Sequence, residues 1–111
     1  MSNWTKGSKV EKLRREHLEK EGWMVRQFPK SRFGKQDLFG FDLIAIKDGI
    51  MRFEQVKSLA RAMPSMRKQT LTDMIPLYKQ MCSHIQMYYI RYNVAKKEWK
   101  IARIKDPYEH L

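Results

Sequence analysis

The sequence predicts one domain built from a small mixed β-sheet with helices packed on it, of the α/β or α+β class, in the order α-β-β-β-α-β-β. Three observations carry this. A Ser-x-x-Glu pattern and a later glycine bracket a helix near the N-terminus, an Asp-Gly pair separates two apolar runs, and a helical stretch divides that hairpin from a second strand pair. The 111 residues are the length of a single domain, spanning 1–111. At 42% hydrophobic and 12% aromatic, the chain can furnish a core, which argues against disorder despite its charge.

The elements follow in order. Ser8-Lys-Val-Glu11 fits a capping box, and no Gly or Pro interrupts the chain until Gly22, a natural C′ stop, so a helix is expected over 8–21. Its apolar stripe is thin, with Val10, Leu13 and Leu18. A strand is expected over 23–28, then a basic loop over 29–35. The run 41–46 reads as a strand, Lys47-Asp48-Gly49 as a turn, and 50–57 as the partner strand. Residues 60–68 carry no assignable pattern. A helix is expected over 70–82, kinked or broken in two by Pro76. The runs 85–92 and 98–104 form a second strand pair. Sequence repeats and low-complexity segments are absent.

Composition narrows the function. With 23 Lys+Arg against 12 Asp+Glu the net charge is +11, and the sequence pI is about 10.0. The basic residues lie in two flanks, 1–35 and 60–105, around a more acidic strip holding Asp37, Asp42, Asp48 and Glu54. Any single lysine reads as solvated surface, but an excess of this size points to a polyanionic partner. A lone cysteine, Cys82, excludes an internal disulfide and a cysteine-rich zinc site, and His17, His84 and His110 have no metal-ligand spacing. No apolar run is long enough to span a membrane, and the first residues do not form an apolar signal segment, so a cytoplasmic location is expected. Nucleotide-binding fingerprints and a nucleophile elbow are missing too.

The acidic strip holds the sharpest constellation. A hairpin turning at Asp48-Gly49 brings the far end of its second strand beside Asp42. Strand alternation sends Gln55 and Lys57 to one face and Glu54 and Val56 to the other. Carboxylate, amide oxygen and ammonium then converge at one sheet end, a set suited to metal-assisted phosphodiester hydrolysis. Asp42, the Gln55 amide oxygen and the Val56 backbone carbonyl offer the hard oxygen ligands that Mg²⁺ takes, and Lys57 a charge for the attacking water or the phosphate. The competing reading is that Asp42 and Lys57 form a cross-strand ion pair.

Gly40-Phe-Asp42-Leu-Ile-Ala-Ile followed by Gln55-Val-Lys57-Ser58 resembles the core of the PD-(D/E)xK nucleases. With Lys6-Gly7-Ser8-Lys-Val-Glu11 opening a helix and Gly22-Trp23-Met-Val-Arg26 after it, residues 6 to 58 resemble the archaeal-type Holliday junction resolvases. The resemblance implies a restriction-endonuclease-like α/β fold and a Mg²⁺-dependent endodeoxyribonuclease, with Mn²⁺ as a substitute. It carries Asp42, Gln55 and Lys57 onto the metal and catalytic positions and Glu11 onto a helical catalytic glutamate. Arg26 falls near a family arginine, and Ser31 on a loop serine that approaches the scissile phosphate. Glu11 has a second reading as the N3 residue of the capping box. Gln55 departs from the family, which has a carboxylate there; this removes one negative charge and weakens metal affinity. Glu54 could replace it only across a bulge, and Asp37 is a second candidate for the place of Asp42.

The implied substrate, a two-fold symmetric four-way DNA junction, calls for a homodimer making paired nicks in recombination and repair. Lys6, Lys9, Lys12, Arg26, Lys30, Arg32, Lys35, Arg61, Arg67 and Lys68 would hold phosphates around each site. Tyr88, Tyr89, Tyr92 and Trp99 read as core and sheet surface more than as base-stacking groups, and Met63, Met66, Met74, Met81 and Met87 as packing, with a dimer seam as the alternative. Two rival functions stand beside this one: a non-catalytic nucleic-acid-binding module on the same fold, and a nuclease of the same superfamily acting on other DNA structures.

Overall fold

A computed structural model of the chain describes residues 3–28, 30–31, 34–35, 41–59 and 68–111; for 3–8, 30–31, 34–35, 59 and 110 this means the backbone alone. Helix α1 runs Asn3–Lys20 and β1 Met24–Gln27. The two-residue strands β2 (Lys30–Ser31) and β3 (Gly34–Lys35) follow, then β4 Leu43–Lys47 and β5 Ile50–Leu59. Helix α2 spans Lys68–Lys79, β6 Ile85–Asn93 and β7 Glu98–Arg103, before a 3₁₀ turn at Pro107–His110. Five strands form one sheet in the order β1-β4-β5-β6-β7. Its pairs are antiparallel except β5 with β6, which the α2 crossover makes parallel. The expected mixed sheet with flanking helices is present: a compact α/β domain.

Each face of the sheet buries a separate core. Leu43, Ala45, Val56 and Ile90 pack with Val10 and Leu18 of α1. Phe41, Phe53, Met87, Tyr89 and Ile104 pack with Leu71, Met74 and Leu77 of α2. Because β5 is covered on both faces, four successive residues, Phe53 to Val56, are buried.

The local signals act as their chemistry requires. The β4–β5 turn puts Asp48 at φ 50° and Gly49 at φ 79°, the two positive values of a type I′ hairpin. Helix α1 ends in a Schellman motif: Trp23 N–H donates to Leu18 O and Gly22 N–H to Glu19 O, both at 3.0 Å, with Gly22 at φ 94°. Trp23 then packs on the cluster that contains Leu18.

Three expectations are corrected. Helix α1 begins at Asn3, so Ser8 lies inside it and no capping box forms. The helix continues upstream of the local start signal, and Glu11 turns instead to a partner on β1. Of the two expectations for Pro76, the break is corrected, since the helix is continuous from Lys68 to Lys79. Thr72 and Pro76 both face solvent, where water can satisfy the Thr72 carbonyl that lacks a Pro76 N–H. The basic segment after β1 is not all loop, because β2 and β3 pair as a short antiparallel ribbon.

Candidate functional site

The site is assembled at the end of the sheet where β1 finishes and β4 begins. Asp42 immediately precedes β4 and is 2% exposed. Its backbone joins the sheet on both sides: its N–H donates to Glu54 O and its carbonyl accepts from Phe28 N–H, each at 2.9 Å. Its Oδ2 accepts from Val56 N–H at 2.9 Å, so the carboxylate extends the β4–β5 ladder by one step beyond Leu43–Glu54. This locks the Asp42 side chain against the strand that carries Gln55, Val56 and Lys57.

Gln55 is 2% exposed, and its Oε1 has no hydrogen-bond partner among the described residues. A buried amide oxygen without a donor costs on the order of 1–3 kcal/mol, and such a group in a folded protein calls for a ligand, water or ion. Val56 is buried in the α1-side core. Lys57 is exposed at its place two residues along β5 from Gln55.

Alternation separates the faces as expected. Glu54 points toward α1, where Oε1 accepts from Arg14 Nε at 2.7 Å and Oε2 from Arg14 Nη2 at 3.0 Å. Arg52 Nε lies 2.6 Å from Glu54 Oε2, and no bulge brings Glu54 round to the place of Gln55. The Arg14 guanidinium stacks over Trp99 with its carbon 5.4 Å from the ring centroid, and that of Arg52 over Tyr88 at 3.9 Å.

Glu11 approaches the same end of the sheet from α1, on the face opposite to Gln55. It is 1% exposed, and its Oε2 accepts from Gln27 Nε2 at 3.4 Å. Gln27 in turn accepts from Arg15 at 3.3 Å and is opposite Leu43, next to Asp42. Burial and the Gln27 contact replace the capping-box reading of Glu11.

The proposed phosphate contacts divide. Lys9 and Lys12 on α1, Arg26 on β1 and Lys68 at the start of α2 are exposed. Lys6, Lys30, Lys35 and Ser31 are described through their backbone alone, and Arg32, Arg61, Arg67 and Asp37 lie outside the described residues. Tyr89 is buried, while Tyr88, Tyr92 and Trp99 pack half-buried on the α1-side core; Met74 and Met87 are fully buried. Met63 and Met66 are outside the described residues.

Sequence reasoning missed the Arg14–Glu54–Arg52 network. Arg14 looks like one more solvated cation on a thin amphipathic stripe, and only the missing counter-charge for Glu54 in its own strand hints at a partner elsewhere.

The donors at Asp42 and Gln55 are all oxygens, and a buried amide oxygen without a donor beside a fixed carboxylate fits a hard divalent cation. Among the described residues no three His, Cys, Asp or Glu side chains group in a way that could hold a metal, so the fit rests on the amide and backbone oxygens as well as the acid. None of the described helices is long and apolar enough to cross a membrane. No protein-family model matches the chain, and no curated protein is significantly similar to it.

Proposed function

We propose that this protein is a metal-dependent, structure-selective DNA endonuclease on a restriction-endonuclease-like fold, of the Holliday junction resolvase type. It would act in the cytoplasm as a homodimer and nick opposing strands of a four-way junction in pairs. The observation that carries the reading is the Asp42 carboxylate fixed by the Val56 amide beside a buried Gln55 whose Oε1 lacks a donor among the described residues. Asp42, Gln55 Oε1 and the Val56 carbonyl would hold Mg²⁺ or Mn²⁺, with buried Glu11 at the margin. When bound, the ion supplies Lewis-acid polarisation of the phosphodiester and a more acidic water. The chain itself contributes position and charge. The Val56 N–H keeps the Asp42 carboxylate from swinging away, and the cover of α1 and α2 keeps the site walls dry. Lys57, exposed on the same strand, meets the phosphate and offsets charge that develops on it. The net charge of +11 supports a polyanionic substrate held through its backbone without base reading.

The neutral amide of Gln55 favours a second reading, a binding module that has kept the fold and lost the metal. A labelled four-way junction beside duplex of the same sequence, with Mg²⁺, Mn²⁺ or EDTA, separates the two. Paired symmetric nicks in the junction alone, abolished by EDTA, support the resolvase. Cleavage of flaps or single strands instead points to another DNA structure as substrate. Tight binding without nicks under either metal overturns the nuclease. Asp42→Asn is the matching variant: its amide oxygen can still accept from Val56 N–H, so fold and binding persist while cleavage is lost.

A further inference from the structure

Beyond the row containing Gln55, the sheet carries a line of three cations that the proposed site does not use as a set. Lys57 on β5 is the register partner of Arg91 on β6, and Arg91 is the register partner of Lys100 on β7. Register partners on neighbouring strands point to the same face, so the three side chains stand abreast on the α2 side of the sheet. They lie past the part of that face that α2 covers. Lys57 and Lys100 are exposed and Arg91 half-buried, whereas Tyr89 one row earlier belongs to the α2-side core. At about 4.8 Å between strands the row spans roughly 10 Å, and it starts about 6.7 Å along β5 from Gln55. The acid closest to Arg91 and Lys100 on this face of β6 and β7 is Glu98, two residues from Lys100 and opposite Asn93, while Asp42 stands beside Gln55 at the Lys57 end of the row. Arg91 Nε has no hydrogen-bond partner among the described residues, and the guanidinium is propped over the Tyr89 ring with its carbon 5.8 Å from the centroid.

Like charges directly opposite one another on adjacent strands repel and destabilise a sheet. Arg91 and Lys100 side by side are tolerated where a polyanion neutralises them. A cationic row roughly 10 Å long suits a phosphodiester strand better than a single small anion, since a duplex strand carries one phosphate for about every 3.4 Å of helix axis and so offers several charges over that length. We propose that Arg91 and Lys100, continuing from Lys57, form a phosphate rail that holds the DNA strand as it leaves the Asp42–Gln55 site. The proposal rests on the nuclease reading for its substrate but not for its test.

The test is binding of a fluorescein-labelled four-way junction by anisotropy in EDTA, with the salt concentration varied. Wild type is compared with Arg91→Gln, Lys100→Gln and the control Lys79→Gln, which removes an exposed cation at the end of α2. Each rail variant is expected to lower the steepness of log K against log salt by about 0.9, the value for one lost phosphate contact. Lys79→Gln is expected to leave it unchanged. Lys100→Gln sits on an exposed position and decides the question should Arg91→Gln disturb Tyr89 and unfold. Slopes equal to wild type for Lys100→Gln, or an equal loss from Lys79→Gln, overturn the rail. Because no metal is present, failure to cleave does not bear on this result. A rail effect without nuclease activity sinks the nuclease alone, and cleavage with unchanged slopes sinks the rail alone.

Discussion

Replacing Glu54 by glutamine probes the buried network that fastens α1 to the sheet. The wild-type carboxylate has no exposed side-chain surface and meets Arg14 through two hydrogen bonds and Arg52 through an ion pair. The substituted side chain would keep the volume and one acceptor oxygen but present an NH₂ group to a guanidinium, leaving two arginines with no counter-charge between them. Arg14 cannot escape to water, being 1% exposed. Removing one partner of a buried pair costs about 3–5 kcal/mol, because the remaining charge stays desolvated. A domain of this size is stable by roughly 5–15 kcal/mol in total, so the variant should be strongly destabilised and, at the low end, largely unfolded. At about 4 °C per kcal/mol, Tm should fall by on the order of 12–20 °C. Urea unfolding followed by tryptophan fluorescence reads this directly, since Arg14 lies over Trp99 and Arg52 over Trp23. The control is Glu19→Gln, which removes the exposed i,i+4 pair of Arg15 and Glu19 and should cost under about 0.5 kcal/mol. A loss for Glu54→Gln no larger than the control's would refute the claim that this network anchors the helix.

Other outcomes follow from single residues. Gly22→Ala forces a Cβ into the left-handed region at φ 94° and should cost about 1–2 kcal/mol by thermal unfolding. Crowding adds little to that figure, because the nearest atoms to the new Cβ are the flexible end of Lys47, at 3.5 Å and beyond. Pro76→Ala restores an N–H to the interior of α2 on its exposed side and should raise stability by about 1–2 kcal/mol, less than the full helix-propensity difference because the unfolded chain gains freedom. An unchanged or lower urea midpoint would show that the proline fits this helix without loss. Under the nuclease reading, Gln55→Glu restores a charged oxygen donor and should shift the Mg²⁺ titration of junction cleavage to lower concentration. A folded variant that needs more Mg²⁺, or none at all, would mean that Gln55 does not face the ion.

Much of this molecule is written locally. Asp48-Gly49 closes the hairpin because only a few residue pairs tolerate two successive positive φ values, and that turn alone sets Asp42 beside Gln55. Period-two alternation suffices to send Glu54 and Gln55 to opposite faces, and Gly22 stops α1 for the same steric reason that makes glycine a helix terminator. What the sequence by itself could not determine depends on residues far apart in the chain. Arg14 and Glu54 are 40 positions apart, and nothing in the period of α1 distinguishes a cation bound for the core from one bound for water. Glu11 matched a capping box, yet its carboxylate went to Gln27, because a helix packed on a sheet can extend past a local start signal and direct the side chain elsewhere. The alignment of Lys57, Arg91 and Lys100 exists only once parallel pairing fixes the register of β6 on β5. Tertiary packing chose these partners because burial makes an unmatched charge or amide far more costly than any local propensity can offset.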